Sequence, residues 1–142
     1  MSGRGGFIAL AILIAAAVPG GRADADGALA VGSTAEIAKD GIAVGASVNY
    51  TSADAARDAA LEQCRAFKSA PKAAAQCQAI GTFRGECYAV SYDPKDGTPG
   101  AGWAIAATKT LAEERALENC KATAGANRRD FCRVAESKCD EY

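Results

Sequence analysis

The chain has 142 residues and no histidine. That removes the side chain most used as a general base near neutral pH, and also the commonest protein ligand for transition metals. Large rings are scarce: one tryptophan, four tyrosines and four phenylalanines. A core with so little aromatic volume must pack small aliphatic side chains closely, or be held by covalent links. Charge of one sign is missing too, with 16 basic against 17 acidic side chains. Such a balance argues against nucleic-acid binding, which needs a concentrated basic face. The only local cluster, Arg128, Arg129 and Arg133, reads as a solvated loop beside Asp130. No long hydrophobic run is present either. The longest, Phe7 to Val18, covers 12 residues, short of the roughly 20 that cross a hydrocarbon core.

That short run has the flanks of an export signal. Arg4 supplies the positive start, Pro19-Gly20-Gly21 breaks any helix, and Ala23-Asp24-Ala25 fits the small-x-small cleavage rule. Residues 1–25 are therefore read as a signal peptide cut after Ala25, giving a periplasmic or secreted protein. Removal of Arg4, Arg22 and Asp24 leaves 14 basic and 16 acidic side chains. Residues 26–142 suit a single domain with one core, and nothing in them is apolar enough to insert into a membrane.

What is present in quantity, for a chain of this size, is cysteine. There are six, separated by 13, 10, 33, 12 and 7 positions. Metal sites favour close pairs such as Cys-x2-Cys, usually with histidine, and a catalytic thiol wants a base beside it. An even count behind an export signal points instead to disulfides, formed in an oxidising compartment. Six cysteines allow about 15 connectivities, and an internal repeat narrows the choice. Ala60-Leu61-Glu62-Gln63-Cys64 recurs as Ala116-Leu117-Glu118-Asn119-Cys120, and Lys39-Asp40-Gly41 recurs as Lys95-Asp96-Gly97, both at an offset of 56. Equivalent positions should pair alike, giving Cys64–Cys77, Cys120–Cys132 and, by remainder, Cys87–Cys139. The rival scheme exchanges partners between the units, as Cys64–Cys132 with Cys77–Cys120.

The repeat also sets the elements. A helix is predicted from Ser52 to Phe67, capped by Thr51 or Ser52, with Ala56, Ala60 and Cys64 in one stripe. A second runs from Thr110 to Thr123, with Thr110 and Glu113 as a capping box. Small residues on both stripes imply close approach to whatever lies beneath. Strands are predicted at Ala28–Gly32, Ile42–Val48, Gln78–Phe83, Tyr88–Tyr92, Gly102–Ala107 and Arg133–Glu136, with period-2 alternation clearest around Tyr88 and Trp103. Each half is hairpin, helix, strand. The expected fold is α+β: two pseudo-symmetric units forming one mainly antiparallel six-stranded sheet, with both helices on one face.

Ala60-Leu61-x-x-Cys64, Cys77 with Phe83, Cys87-Tyr88-Ala89-Val90, Trp103-Ala104, Ala116-Leu117-x-x-Cys120, Cys132 and Cys139 together resemble the domain of unknown function 4189 family. The resemblance covers about residues 27–139. Members of that family are small exported bacterial proteins with no assigned activity, so it implies no catalytic residues and no cofactor. One departure is the first strand, Gly27-Ala28-Leu29-Ala30, which lacks an aromatic residue just before it.

Chemistry is hard to find. Ser47, Ser52, Ser91 and Ser137 have no evident activating partner, and no nucleophile-elbow motif occurs. The glycines between Gly97 and Gly102 lack the lysine-hydroxyl pair of a phosphate loop and read as a hairpin loop. Asp54, Asp58, Glu113 and Glu114 read as helix-face and first-turn carboxylates. Tyr88, Tyr92 and Trp103 fall on adjacent strands. They are either a binding surface, if they face away from the helices, or core, if they face inward. The expected function is a non-enzymatic exported module that binds a protein or an envelope polymer. The alternatives are a carboxylate-dependent hydrolase and a purely structural or stress-related envelope protein. No metal and no cofactor are implied.

Overall fold

The computed structural model describes residues 26–141. The signal-peptide reading and its cut after Ala25 lie outside the described residues. Six strands are present: β1 Asp26–Ser33, β2 Ile42–Tyr50, β3 Gln78–Phe83, β4 Cys87–Tyr92, β5 Ala101–Ala106 and β6 Arg133–Cys139. Two long helices, α2 Ala53–Arg65 and α4 Lys109–Ala124, are joined by two single-turn helices, α1 Ile37–Asp40 and α3 Pro71–Ala74, and a 3-10 turn at Arg129–Phe131.

The fold is α+β, with every strand pairing antiparallel, but the expected single sheet is two. One three-stranded sheet runs β2-β1-β3 and the other β5-β4-β6. Each has its first strand in the middle, flanked by its hairpin partner and by the strand that follows the long helix. The helices lie on opposite outer faces, not on one.

Side-chain size explains the difference. In β1, Ala28 and Ala30 pack with Ala56, Ala60 and Cys64 of α2, while Leu29 and Val31 point the other way. In β4, Cys87 and Ala89 pack with Ala112 and Ala116 of α4, while Tyr88 and Val90 point away from the helix. Leu29, Val31, Phe83, Tyr88 and Val90 then form one cluster, joined by Ile42, Val44, Trp103 and Ile105. Large residues therefore fill the space between two sheets stacked face to face, where side chains from both must interdigitate. Small residues line the two outer, helix-covered faces. The rings of Phe83 and Tyr88 meet across this core at 6.1 Å.

Helices approach the sheets closely because glycine lies under each. A Cβ on Gly45 of β2 would sit 2.0 Å from the carbonyl oxygen of Ala60, and one on Gly102 of β5 2.3 Å from that of Ala116. Two buried serines add hydrogen bonds at these contacts. Ser47 donates to the carbonyl of Ala56 at 2.6 Å and Ser91 to that of Ala116 at 2.5 Å. The N-cap of α2 is Ser52, whose hydroxyl accepts from the Ala55 amide. The N-cap of α4 is Thr108, not Thr110. Its hydroxyl accepts from the Leu111 amide at 3.2 Å, so the helix begins before the proposed capping box.

Three bridges staple the layers: Cys64–Cys77, Cys87–Cys139 and Cys120–Cys132. The first and third tie the end of each long helix to the start of the strand after it, with Cα separations of 6.0 and 6.1 Å. Cys87 and Cys139 face each other directly across β4 and β6. The chain end is tied by charge as well. The buried carboxylate of Asp140 accepts from the amides of Asn49 at 2.8 Å and Gly85 at 3.2 Å, joining the last strand to β2 and to the β3–β4 turn. Among the described residues no helix is long and apolar enough to cross a membrane.

Candidate binding groove

Both inner sheet faces are occupied by each other and both outer faces by helices. Open surface is therefore left at loops, helix backs and strand edges. One of several shallow concavities takes its lining from both halves and carries two exposed rings. A groove of about 310 Å3 is lined from the first half by Ile37, Ile42 and Phe67, and from the second by Tyr92, Asp93 and the loop from Lys95 to Gly100. Gly41 and Lys95-Asp96-Gly97 border it, so the first Lys-Asp-Gly stretch contributes its glycine and the second all three residues.

Its aromatic content is accessible. Phe67, just past α2, is 39% exposed and Tyr92, at the end of β4, is 44% exposed. A ring held on a rigid frame offers contact area at low entropic cost, which suits recognition. The floor is polar but already satisfied. Asp93 accepts two bonds of 2.7 Å from the Arg128 guanidinium and one of 3.0 Å from the Lys95 amide. The Arg128 hydrogen bonds, more than opposing burial, hold its carboxyl down to about 2. Arg128 in turn stacks on Phe131 at 3.9 Å. It is thus a structural clamp on the β4–β5 loop, not the solvated cation its sequence neighbours imply. Next to Gly41, Asp40 is also held below the usual carboxylate range, chiefly by the Thr34 hydroxyl, and it takes an ion pair from Lys72.

The three aromatic residues singled out in the sequence do not share one surface. Tyr88 is 1% exposed in the core between the sheets. Its hydroxyl donates to Glu136, and burial followed by that bond pushes its ionisation far upward. Trp103 is half-buried against the same core, and its carbonyl accepts from the Asn119 side chain at 2.9 Å. Tyr92 alone reaches the groove. Phe67 and Ile37 are its partners there. In the sequence Phe67 reads only as the last residue of the first predicted helix, whereas α2 ends at Arg65 and leaves Phe67 beyond it. No sequence signal marks the groove, because only the stacking of the two sheets brings Phe67 and Tyr92 to one concavity.

The other candidates for chemistry have structural employment. Ser47, Ser52 and Ser91 bond helix backbone, and Ser137 donates to Glu113. Asp54 pairs with Arg57 at 2.7 Å. Among the described residues no group of three His, Cys, Asp or Glu side chains could hold a metal ion.

No curated protein and no solved structure matches the chain. A family model described as domain of unknown function (DUF4189) does, over residues 27–139. The match takes in all six strands but for Asp26 at the start of β1, both long helices and all six cysteines, and the chain belongs to that family.

Proposed function

We propose that this chain is an exported, non-enzymatic binding module that holds a protein or envelope polymer in the groove lined from both its halves. The observation that carries the reading is the pairing of two exposed rings, Phe67 and Tyr92, from different halves across one concavity. Everything around them is rigidly tied: Asp93 to Arg128, Asp40 to Thr34 and Lys72, and the helix ends by disulfides. Preorganised rings lose little freedom on binding, so their contact area is converted to affinity efficiently. Export through a signal peptide, with the cut after Ala25 and the chain then residing in the periplasm or outside the cell, accords with three bridges that need an oxidising compartment.

A carboxylate-dependent hydrolase finds less support in the same groove. Glycoside hydrolysis needs one carboxyl that keeps a proton near neutral pH and a second carboxylate across the cleft. Asp93 is held ionised by Arg128, so it supplies no acid.

The test is capture from periplasmic extract and culture medium with the oxidised protein, run beside a Phe67→Ala/Tyr92→Ala variant. The proposal expects a stoichiometric partner that the wild type retains and the double variant loses. Equal retention by both would remove the groove from the account.

A further inference from the structure

The three disulfides differ in what guards them. Cys64 and Cys120 are completely buried, and their partners Cys77 and Cys132 lie at the buried ends of the same helix-to-strand staples. In each staple the helix sulfur is shielded by its own helix and sheet, and although Cys132 lines a depression of about 350 Å3, it is only 3% exposed and Cys77 only 9%. Cys139 is different. It is the last residue of β6, a terminal strand on a sheet edge, and it is only partly buried. It also lines a surface depression of about 340 Å3, together with Val48, Asn49, Lys109 and Lys138.

We infer that Cys87–Cys139 is a thiol–disulfide exchange site, opened from the Cys139 side by an exported dithiol while the other two bridges remain closed. The reaction is a direct displacement. A thiolate of the reagent attacks Sγ of Cys139, a mixed disulfide forms there, and the Cys87–Cys139 bond breaks. Cys87 leaves as a thiolate and takes a proton from solvent. The reagent's second thiol then attacks its own sulfur in the mixed disulfide. Cys139 is released as a thiol, and the reagent departs as an internal disulfide, having given up two electrons. Cys87 leaves within an apolar cluster that includes Leu111 and Ala112 of α4, so attack falls on the more accessible Cys139 sulfur and Cys87 is protonated once released. Lys109 and Lys138 at the depression each reach a carboxylate, Glu113 at 4.0 Å and Glu136 at 3.6 Å, and Glu141 also lines it. The lining itself carries two lysines against one glutamate, and the lysines, 57% and 62% exposed, are the cations that an approaching thiolate meets.

Opening has a structural consequence. Asp140 follows Cys139 directly, and its carboxylate holds the amides of Asn49 and Gly85. Asn49 carries a positive φ of 63°, a left-handed conformation that asparagine adopts more readily than other non-glycine residues. Glu141 donates its amide to the Asn49 side chain at 2.8 Å. Releasing Cys139 loosens this knot, so the redox state of one bridge sets how firmly the last strand is tied to the first sheet.

The experiment treats the purified, oxidised protein with graded dithiothreitol or reduced glutathione, without denaturant. Samples are quenched with N-ethylmaleimide and mapped by peptide mass. The expected result is labelling of Cys87 and Cys139 at least about tenfold faster than of the other four, with a rate that rises in proportion to thiol concentration. Loss of Cys64–Cys77 or Cys120–Cys132 first would overturn the inference. So would simultaneous loss of all three at a rate independent of thiol, the mark of exchange through global unfolding. A second measurement follows amide hydrogen exchange after selective reduction. Faster exchange confined to Asn49, Gly85 and their neighbours supports the coupling, and unchanged exchange there refutes it.

Discussion

Gly45 and Gly102 show how much of this fold depends on a missing methyl group. Each lies on a strand beneath a long helix, and a Cβ would fall within 2.4 Å of two helix backbone atoms. Backbone cannot swing aside as a flexible side chain can. Gly45→Ala and Gly102→Ala should each destabilise by about 3 kcal/mol, the upper part of the overpacking range, read as a lower urea midpoint with unchanged slope. Gly97→Ala is the control, because nothing lies within 4 Å of its Cβ position and only its φ of 76° penalises the change. Its cost should be about 1 kcal/mol. Asp93 sets a second expectation. Its folded-state carboxyl is depressed to about 2 by Arg128, against an ordinary value near 3.9. A depressed acid contributes stability that is fully present above its unfolded value and is lost as pH falls through the folded one. Wild-type stability should therefore drop between about pH 4 and pH 2. Asp93→Asn should be less stable at neutral pH and show a shallower loss across that window, measured by urea unfolding at a series of pH values.

At the level of elements, cap residues separate what was legible from what was not. The sequence narrows the α2 cap to Thr51 or Ser52, and Ser52 is the one that caps, its hydroxyl accepting from the Ala55 amide. For α4 two threonines compete, and Thr110 with Glu113 matches the capping-box pattern. Thr108 nonetheless caps, because β5 ends at Ala106 and the helix must start at once to cover it. Thr108→Ala and Ser52→Ala should each cost about 1 kcal/mol, and Thr110→Ala a few tenths at most, compared by thermal unfolding. Strand positions were also readable: β3 was placed from Gln78 to Phe83, and the other strands within three residues at each end. What alternation did not convey was the second sheet. Ala28, Ala30, Cys87, Ala89 and Ser91 are small and face helices, whereas Leu29, Val31, Tyr88 and Val90 are large and face the other sheet. A small/large alternation, with no polar face at all, is the trace of a strand covered on both sides. Reading it as a single covered face produces one wide sheet. The groove was illegible for the same reason, since only stacking brings Phe67 and Tyr92 together. Arg128 was misjudged because its partner, Asp93, is 35 positions away.

For the molecule as a whole, the decisive feature is that neither half owns a complete core. Leu29, Val31 and Phe83 come from one sheet, Tyr88 and Val90 from the other, and each set is covered only by its counterpart. The outer layers are alanine packed on alanine, which buries little area per residue and leans on the two helix-end bridges. Removing the shared core should therefore undo both halves at once, even though the disulfides within each half remain closed. Leu29→Ala, at a fully buried site in the first sheet, should cost about 2–5 kcal/mol. Its effect should reach Trp103, which lies on β5 of the second sheet against the same cluster. In the oxidised wild type, Trp103 fluorescence and far-ultraviolet circular dichroism should trace one coincident urea transition. In Leu29→Ala both curves should move together to lower urea. A Trp103 transition that stays in place while the dichroism shifts would mean that the sheets unfold separately. The stacked pair would then be two modules in contact and not one cooperative body.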